Sequence, residues 1–214
     1  MTTTESSGRP FVSGVVLAAG ASTRMGRPKQ LLEIAGRLLL QHVVDAALAS
    51  SLDEVIVVLG HRADEVEAAL RLGSRARAVV NPEFAAGQIT SLRCGLAAAN
   101  PAARAAAVLL GDQPTLRSEA IDDMIAAFLA AGARAARPVY PDAGGRPGHP
   151  VLLAREIFHE LDPLHGDQGA RTLFSEPRPG VLEVPVAGQP PPDIDTPEDF
   201  TRIIQLQADA NDLP

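Results

Sequence analysis

The 214-residue sequence has one cysteine, no tryptophan, one tyrosine and a single lysine. With Cys94 as the only thiol, no internal disulfide can form, which fits a reducing compartment and leads us to expect a cytoplasmic protein. The scarcity of aromatic residues removes the stacking surfaces that bind single-stranded nucleic acid. No apolar run approaches the roughly 20 residues of a membrane span, so we expect no membrane segment.

The formal net charge is −7, which argues against the basic stripes of a nucleic-acid-binding protein. The five histidines have no cysteine partners at metal-binding spacing, so we expect no zinc site. The first ten residues are polar and lack the apolar segment of a secretory signal. We therefore predict a disordered lead-in at 1–10, a single domain at 11–207 and a flexible tail at 208–214.

Short apolar runs alternate with segments of helical periodicity in the first two thirds of the chain. The strand-like runs are Phe11–Ala18, Asp53–Leu59, Ala76–Val80 and Ala105–Leu110. This alternation predicts an α/β fold with a mostly parallel mixed sheet flanked by helices, and ligands outside the carboxyl ends of the strands. After Ala131 the pattern is less regular, and we expect further strands and a lid on the same sheet.

The loop after the first strand concentrates positive charge in an acidic protein. No acidic residue occurs from 18 to 32, whereas Arg24, Arg27 and the only lysine, Lys29, all lie there. Small residues around Gly20 allow backbone N–H groups to approach phosphate oxygens. The loop matches neither GxxxxGK[ST] nor GxGxxG, but its composition predicts a polyphosphate site. The alternative is an ordinary strand-to-helix turn with solvated cations.

Three aspartates stand where a metal ion could bind. Asp112 directly follows a buried strand, a ligand position in a parallel sheet, and carboxylates suit Mg²⁺. Asp193 and Asp195 lie two residues apart in an extended segment, and we expect them to point the same way. The alternatives are a turn role for Asp112 and capping of the following helix for Asp195.

Two Gly-rich segments in the second half resemble binding loops. His149 lies in the first, at 144–150, where a structural role is the alternative to anion binding. The second, at 166–171, contains Asp167 and ends in Arg171, a candidate phosphate ligand at a helix start. Cys94 falls inside a helical pattern of small residues, so we expect it to pack rather than react.

Several motifs together resemble one known family, the molybdenum cofactor cytidylyltransferases of the MobA-like NTP-transferase superfamily. They are LAAGASTRMGRPK at 17–29, GDQP at 111–114, GHP at 148–150, GDQGAR at 166–171 and DIDTPED at 193–199. The resemblance covers nearly the whole chain and implies a Rossmann-like three-layer nucleotidyltransferase fold. The first motif alone is shared with other nucleotidyltransferases, whereas the combination is more specific.

The resemblance also implies site residues. Arg24 and Lys29 would hold the triphosphate, and Asp112 and Asp195 would bind Mg²⁺. The remaining residues are, for the nucleotide, Leu17, Ala18, Ala19, Gly20, Asn81, Gly87 and Ser91, and, for the acceptor, His149, Asp167 and Arg171. Ala19 resembles the cytidine version of the motif, since guanylyl-transferring relatives tend to carry glycine there. Phe84 and Gln88 depart from the Trp and Met expected in the base-side segment.

The function implied by the resemblance is Mg²⁺-dependent transfer of CMP from CTP to a phosphate-bearing acceptor, the molybdopterin cofactor, with release of pyrophosphate. A molybdoenzyme that receives the product is a possible partner. Two alternatives stay open on the same scaffold: transfer with another NTP or acceptor, and a nicotinamide-dependent reductase. A nucleotide-sensing protein without turnover is a third.

Overall fold

The computed structural model describes residues 8–175 and 178–211, with side chains in the last helix through 206. The described chain contains ten β-strands: β1 Val12–Leu17, β2 Glu33–Ile34, β3 Arg37–Leu38, β4 Glu54–Leu59, β5 Ala76–Val80, β6 Ala105–Leu110, β7 Ala135–Tyr140, β8 Arg146–Pro147, β9 Val151–Ala154 and β10 Val181–Pro185. It also contains five α-helices: α1 Leu39–Ala49, α2 Ala63–Ala69, α3 Gln88–Ala98, α4 Ser118–Ala131 and α5 Pro197–Asn211.

The main sheet has the order β10-β7-β9-β6-β1-β4-β5, with β8 paired to the edge of β7. Strands β6, β1, β4 and β5 run parallel to one another, and β10 runs parallel to β7. Strand β9 is antiparallel to both β6 and β7, so it reverses the chain in the middle of the sheet. Its first residues therefore lie at the edge where β6 and β7 end.

Helices cover both faces of this sheet, because its central strands are apolar on both sides. In β1, Val12 and Val16 pack in one cluster with α1, α2 and α4, whereas Val15 packs in another with α3. Short 3-10 helices at Arg155–Leu161 and Ala170–Phe174 complete the α3 side. The arrangement confirms the predicted three-layer α/β fold with a mostly parallel mixed sheet.

The last helix, α5, packs on the β2–β3 hairpin through Ile203. Its start is a reciprocal cap: the Asp199 backbone N donates to the Thr196 hydroxyl at 3.2 Å, and the Thr196 backbone N donates to the Asp199 carboxylate at 3.0 Å. The Thr196 hydroxyl also donates to Asp199 Oδ2 at 2.9 Å, and this hydrogen bond is the main cause of the lowered pKa of Asp199. The predicted domain boundary at 207 falls inside this helix.

Part of the predicted lead-in contacts the domain, since Arg9 forms a salt bridge with Asp53 at 2.9 Å. Residues 1–7 of that segment and 212–214 of the predicted tail lie outside the described residues. Among the helices described, none is both long and apolar enough to cross a membrane.

Candidate functional site

The loop after β1 is held in place by a buried amide, that of Gln30. Its Nε2 donates to the carbonyl oxygens of Ala18 at 2.8 Å and Gly20 at 3.0 Å. The Ser22 hydroxyl accepts a hydrogen bond from the Lys29 backbone N at 3.1 Å. The sequence interpretation missed Gln30; the available signal was one uncharged polar residue between Lys29 and the apolar pair that follows.

Four charged residues from three distant segments meet at the end of this loop. The Lys29 Nζ lies 2.7 Å from Asp112 Oδ2 and 2.7 Å from Asp195 Oδ1. The Arg24 guanidinium lies 2.9 Å from Asp195 Oδ2. The structure thus brings together the three residues predicted as catalytic and both predicted metal ligands.

Burial and charge oppose one another in this cluster. Burial disfavours the charged form of Lys29, but Asp112 and Asp195 outweigh it, so the pKa of Lys29 is raised. Burial also works against ionised Asp195, yet Lys29 and then Arg24 lower its pKa overall. Both groups are therefore charged at neutral pH.

Asp112 has the properties of a metal ligand. Its Oδ1 is buried and has no hydrogen-bond partner, which is costly for a carboxylate oxygen unless a cation approaches it. Among the described residues, no three Asp, Glu, His or Cys side chains converge on one point. Mg²⁺ commonly uses one or two carboxylates and takes its other ligands from substrate phosphates and water. Asp112 and Asp195 fit that pattern.

The first of two clefts at this edge of the sheet has a volume of about 620 Å³ and contains all the predicted nucleotide residues except Asn81. Among the residues that line it are Leu17, Ala18, Ala19, Gly20, Lys29, Gly87, Ser91 and Asp112. Asp167, predicted on the acceptor side, also lines this cleft, and its Oδ1 accepts a hydrogen bond from the Gln88 backbone N. Asn81 does not line it.

Asn81 instead supports the base-side segment from behind. Its Nδ2 donates to the hydroxyl oxygens of Thr90 at 2.8 Å and Ser91 at 3.0 Å, and its Oδ1 accepts from the Glu83 backbone N. Asn81 is buried. It therefore orients Ser91, which does face the cleft.

A second cleft of about 530 Å³ adjoins the first. It contains two residues predicted to bind the acceptor, His149 and Arg171. Three more arginines line it, and the sequence interpretation did not identify them: Arg137, Arg146 and Arg202. A sequence motif is contiguous, whereas these arginines come from three separate elements, β7, β8 and α5, so no motif contains them.

His149 lies deep in this second cleft, although part of the residue still faces solvent. Desolvation of the ring lowers the pKa of His149 to about 4, so the imidazole is neutral at pH 7. Asp193 lines the same cleft and accepts a hydrogen bond from Gln113 Nε2 at 2.8 Å. Burial, and next the charge of Asp112, raise the pKa of Asp193. Asp193 and Asp195, which the sequence predicts to point the same way, thus contact different partners, Gln113 and Lys29.

The two clefts share part of their walls. Leu17, Gln88 and Leu110 line both of them. Two consecutive residues after β6 line different clefts: Asp112 lines the first and Gln113 lines the second. Ligands bound in the two clefts would therefore meet near the end of β6.

Comparison with known proteins agrees with this geometry. A protein of known structure, Rv0371c from Mycobacterium tuberculosis, is 35% identical, with a TM-score of 0.80 over 92% of this chain and 98% of that one. A second structure of Rv0371c is a complex with manganese. The nicotine blue oxidoreductase of Paenarthrobacter nicotinovorans is 32% identical over 82% of this chain and 86% of its own length.

The bifunctional protein GlmU of Sorangium cellulosum is 40% identical over 128 residues, but the match spans only 27% of its length. The profile of the MobA-like NTP transferase domain matches residues 14–181. That range contains β1 to the start of β10, including Lys29 and Asp112 but not Asp195. The chain belongs to the MobA-like NTP transferase family, a family of nucleotidyltransferases.

Proposed function

We propose that this protein transfers CMP from CTP to a phosphate-bearing acceptor of the molybdopterin type, using Mg²⁺ and releasing pyrophosphate. The observation that carries the proposal is a pair of clefts that share wall residues, the first of them lined by Lys29 and Asp112 of the charged cluster. A transferase has to bring two substrates to one reacting centre. Adjoining clefts with a charged cluster beside their common wall meet that requirement.

The reaction is an exchange of one phosphorus–oxygen bond for another. An oxygen of the acceptor's terminal phosphate forms a bond to the α-phosphorus of CTP, and the bond from that phosphorus to the pyrophosphate oxygen breaks. A phosphate nucleophile is already ionised at neutral pH, so no strong general base is required. Positioning and charge neutralisation then supply most of the rate enhancement.

The residues of the first cleft and of the charged cluster beside it would have separate roles in this reaction. Backbone groups of the 18–20 segment would approach the nucleotide, and Lys29 and Arg24 would offset the charge that grows on pyrophosphate. Asp112 and Asp195 would hold Mg²⁺, which supplies charge stabilisation at the reacting phosphate. The manganese complex of Rv0371c supports a divalent ion.

The second cleft would hold the acceptor, and its charge supports an anionic one. Four arginines line it, against two aspartates. The choice of CTP rests on the resemblance at Ala19, which is buried in the loop after β1. We also propose a cytoplasmic location and delivery of the product to a molybdoenzyme.

One comparison favours a second candidate function. Nicotine blue oxidoreductase resembles this chain over most of both lengths, so a nicotinamide-dependent reductase on the same scaffold is the competing proposal. Such a reductase would require neither Mg²⁺ nor release of pyrophosphate. The acidic pair at Lys29 would then have no ligand to bind.

The test is release of pyrophosphate from CTP, GTP or ATP with Mg²⁺ and purified molybdopterin cofactor, alongside oxidation of NADPH. We expect turnover with CTP. Lys29→Ala and Asp112→Ala should each lower kcat by roughly 10²–10³. Arg71→Ala and Asp123→Ala serve as matched controls, since both residues are exposed and neither lines the two clefts.

Near-normal pyrophosphate release from Lys29→Ala or Asp112→Ala would overturn the assigned roles. Oxidation of NADPH without Mg²⁺, together with no pyrophosphate from any nucleotide, would instead favour the reductase. Turnover with GTP in place of CTP would keep the reaction and correct the nucleobase.

A further inference from the structure

The Lys29 ammonium lies between the two carboxylates that would hold the metal ion. Its Nζ is 2.7 Å from an oxygen of Asp112 and 2.7 Å from an oxygen of Asp195. A cation held by the same two oxygens, Asp112 Oδ2 and Asp195 Oδ1, would need the space that this nitrogen fills. Lysine and metal are therefore alternative occupants of one position.

The charges of the cluster lead to the same conclusion. Two carboxylates, Asp112 and Asp195, face two cations, Lys29 and Arg24, so the cluster is neutral as it stands. A divalent ion added to it would meet the ammonium at close range in a partly buried site, where repulsion is only weakly screened. Metal binding becomes favourable only when Lys29 moves away.

The Lys29 side chain can move without unfolding the loop. Its backbone N is anchored to the Ser22 hydroxyl, and the next residue, Gln30, is anchored to the loop carbonyls. The ammonium is carried on a flexible four-carbon stem beyond these anchors. The same side chain lines the nucleotide cleft, so a triphosphate there offers it another anionic partner.

We propose that Lys29 is an exchangeable counter-ion, which occupies the metal position in the free enzyme and gives up both carboxylates when a nucleoside triphosphate draws it away. The proposal rests on the proposed function for the identity of the metal ligands. It goes beyond that function in making metal binding and nucleotide binding depend on each other. The free protein then binds a divalent ion weakly, and the nucleotide assembles the metal site.

The test measures metal binding without nucleotide, acceptor or turnover. Mn²⁺ is titrated into the protein, and free Mn²⁺ is followed by its electron paramagnetic resonance signal. Lys29→Met removes the ammonium while keeping the length of the side chain. We expect Lys29→Met to bind Mn²⁺ at least about tenfold more tightly than wild type, equivalent to about 1.4 kcal/mol.

Two controls connect any gain to this site. Adding Asp112→Asn to Lys29→Met should abolish the gain, because the metal then loses a carboxylate. Arg71→Met removes an exposed cation elsewhere and should leave Mn²⁺ affinity at the wild-type value. Lys29→Gln provides a second neutral variant if Lys29→Met fails to fold, as judged by circular dichroism.

Equal Mn²⁺ affinity in wild type and the neutral variants would overturn the proposal. Tight Mn²⁺ binding by the wild type in the absence of nucleotide would overturn it as well. These outcomes are distinct from failure of the proposed function. If the protein transfers CMP but Lys29→Met shows no gain in Mn²⁺ affinity, only the exchange is refuted. If Lys29→Met shows the gain in Mn²⁺ affinity but the protein transfers no CMP, the exchange stands and the reaction is refuted.

Discussion

The neutral state of His149 predicts a specific loss of stability in mild acid. Desolvation lowers the pKa of His149 to about 4 in the folded protein, from an ordinary value of 6.5. Between these two values the unfolded chain binds a proton that the folded chain does not. Stability must therefore fall as pH drops from about 6.5 towards about 4.

The size of the effect follows from the difference in pKa. Between pH 7.5 and pH 5, protonation of this histidine in the unfolded chain lowers the free energy of unfolding by about 2 kcal/mol. This is an upper value because part of His149 faces solvent. Urea denaturation at a series of pH values measures this change directly. His149→Gln should remove it, and His159→Gln, which alters an exposed histidine, should not.

Neighbouring charges do not confuse the measurement above pH 5. The arginines of the second cleft are the same in wild type, His149→Gln and His159→Gln. Burial raises the pKa of Asp193, so that group contributes a slope of opposite sign, mainly at lower pH, and it is present in all three proteins. If wild type and His149→Gln lose the same free energy between pH 7.5 and pH 5, the buried neutral histidine is refuted.

Two glycines give further predictions. A Cβ at Gly95 would lie 2.3 Å from Val15 Cγ1. Gly95→Ala should therefore overpack α3 on the sheet and cost about 1–3 kcal/mol of stability. An unchanged urea midpoint would contradict this. A Cβ at Gly87 would lie 2.3 Å from the Gly166 carbonyl carbon, so Gly87→Ala should weaken CTP binding severalfold in calorimetry by separating two loops of the nucleotide cleft. Gly144→Ala places an alanine at another positive φ, 70° against 112° at Gly87, with open space around it; an equal loss of CTP affinity there would refute the clash.

The first two thirds of the fold follow closely from the sequence, because its strands are short apolar runs and its helices are amphipathic. The strands Ala76–Val80 and Ala105–Leu110 are predicted with the bounds that the structure has. The reversed direction of β9 was not predicted, since a four-residue apolar run carries no sign of its direction.

The candidate site, like the fold, was predictable from the sequence only in part. Lys29 and Asp112 were predictable because each follows a central parallel strand, and such strand ends share one edge of the sheet. Their direct contact was not predictable from spacing, nor was the arginine lining of the second cleft. Arg137, for example, lies in β7 and stacks 4.7 Å from the ring centre of Phe174, a pairing that depends on the tertiary fold.

The order in which the cluster is assembled has a consequence during biosynthesis. Asp112 follows Lys29 by 83 residues and Asp195 by 166, so the second carboxylate emerges from the ribosome only after every strand of the sheet has been made. A nascent or truncated chain that ends before Asp195 would have Lys29 beside a single aspartate, with Arg24 lacking its partner. The complete charged cluster therefore exists only in chains that extend through Asp195, and products truncated before it would lack the cluster even where the sheet has folded.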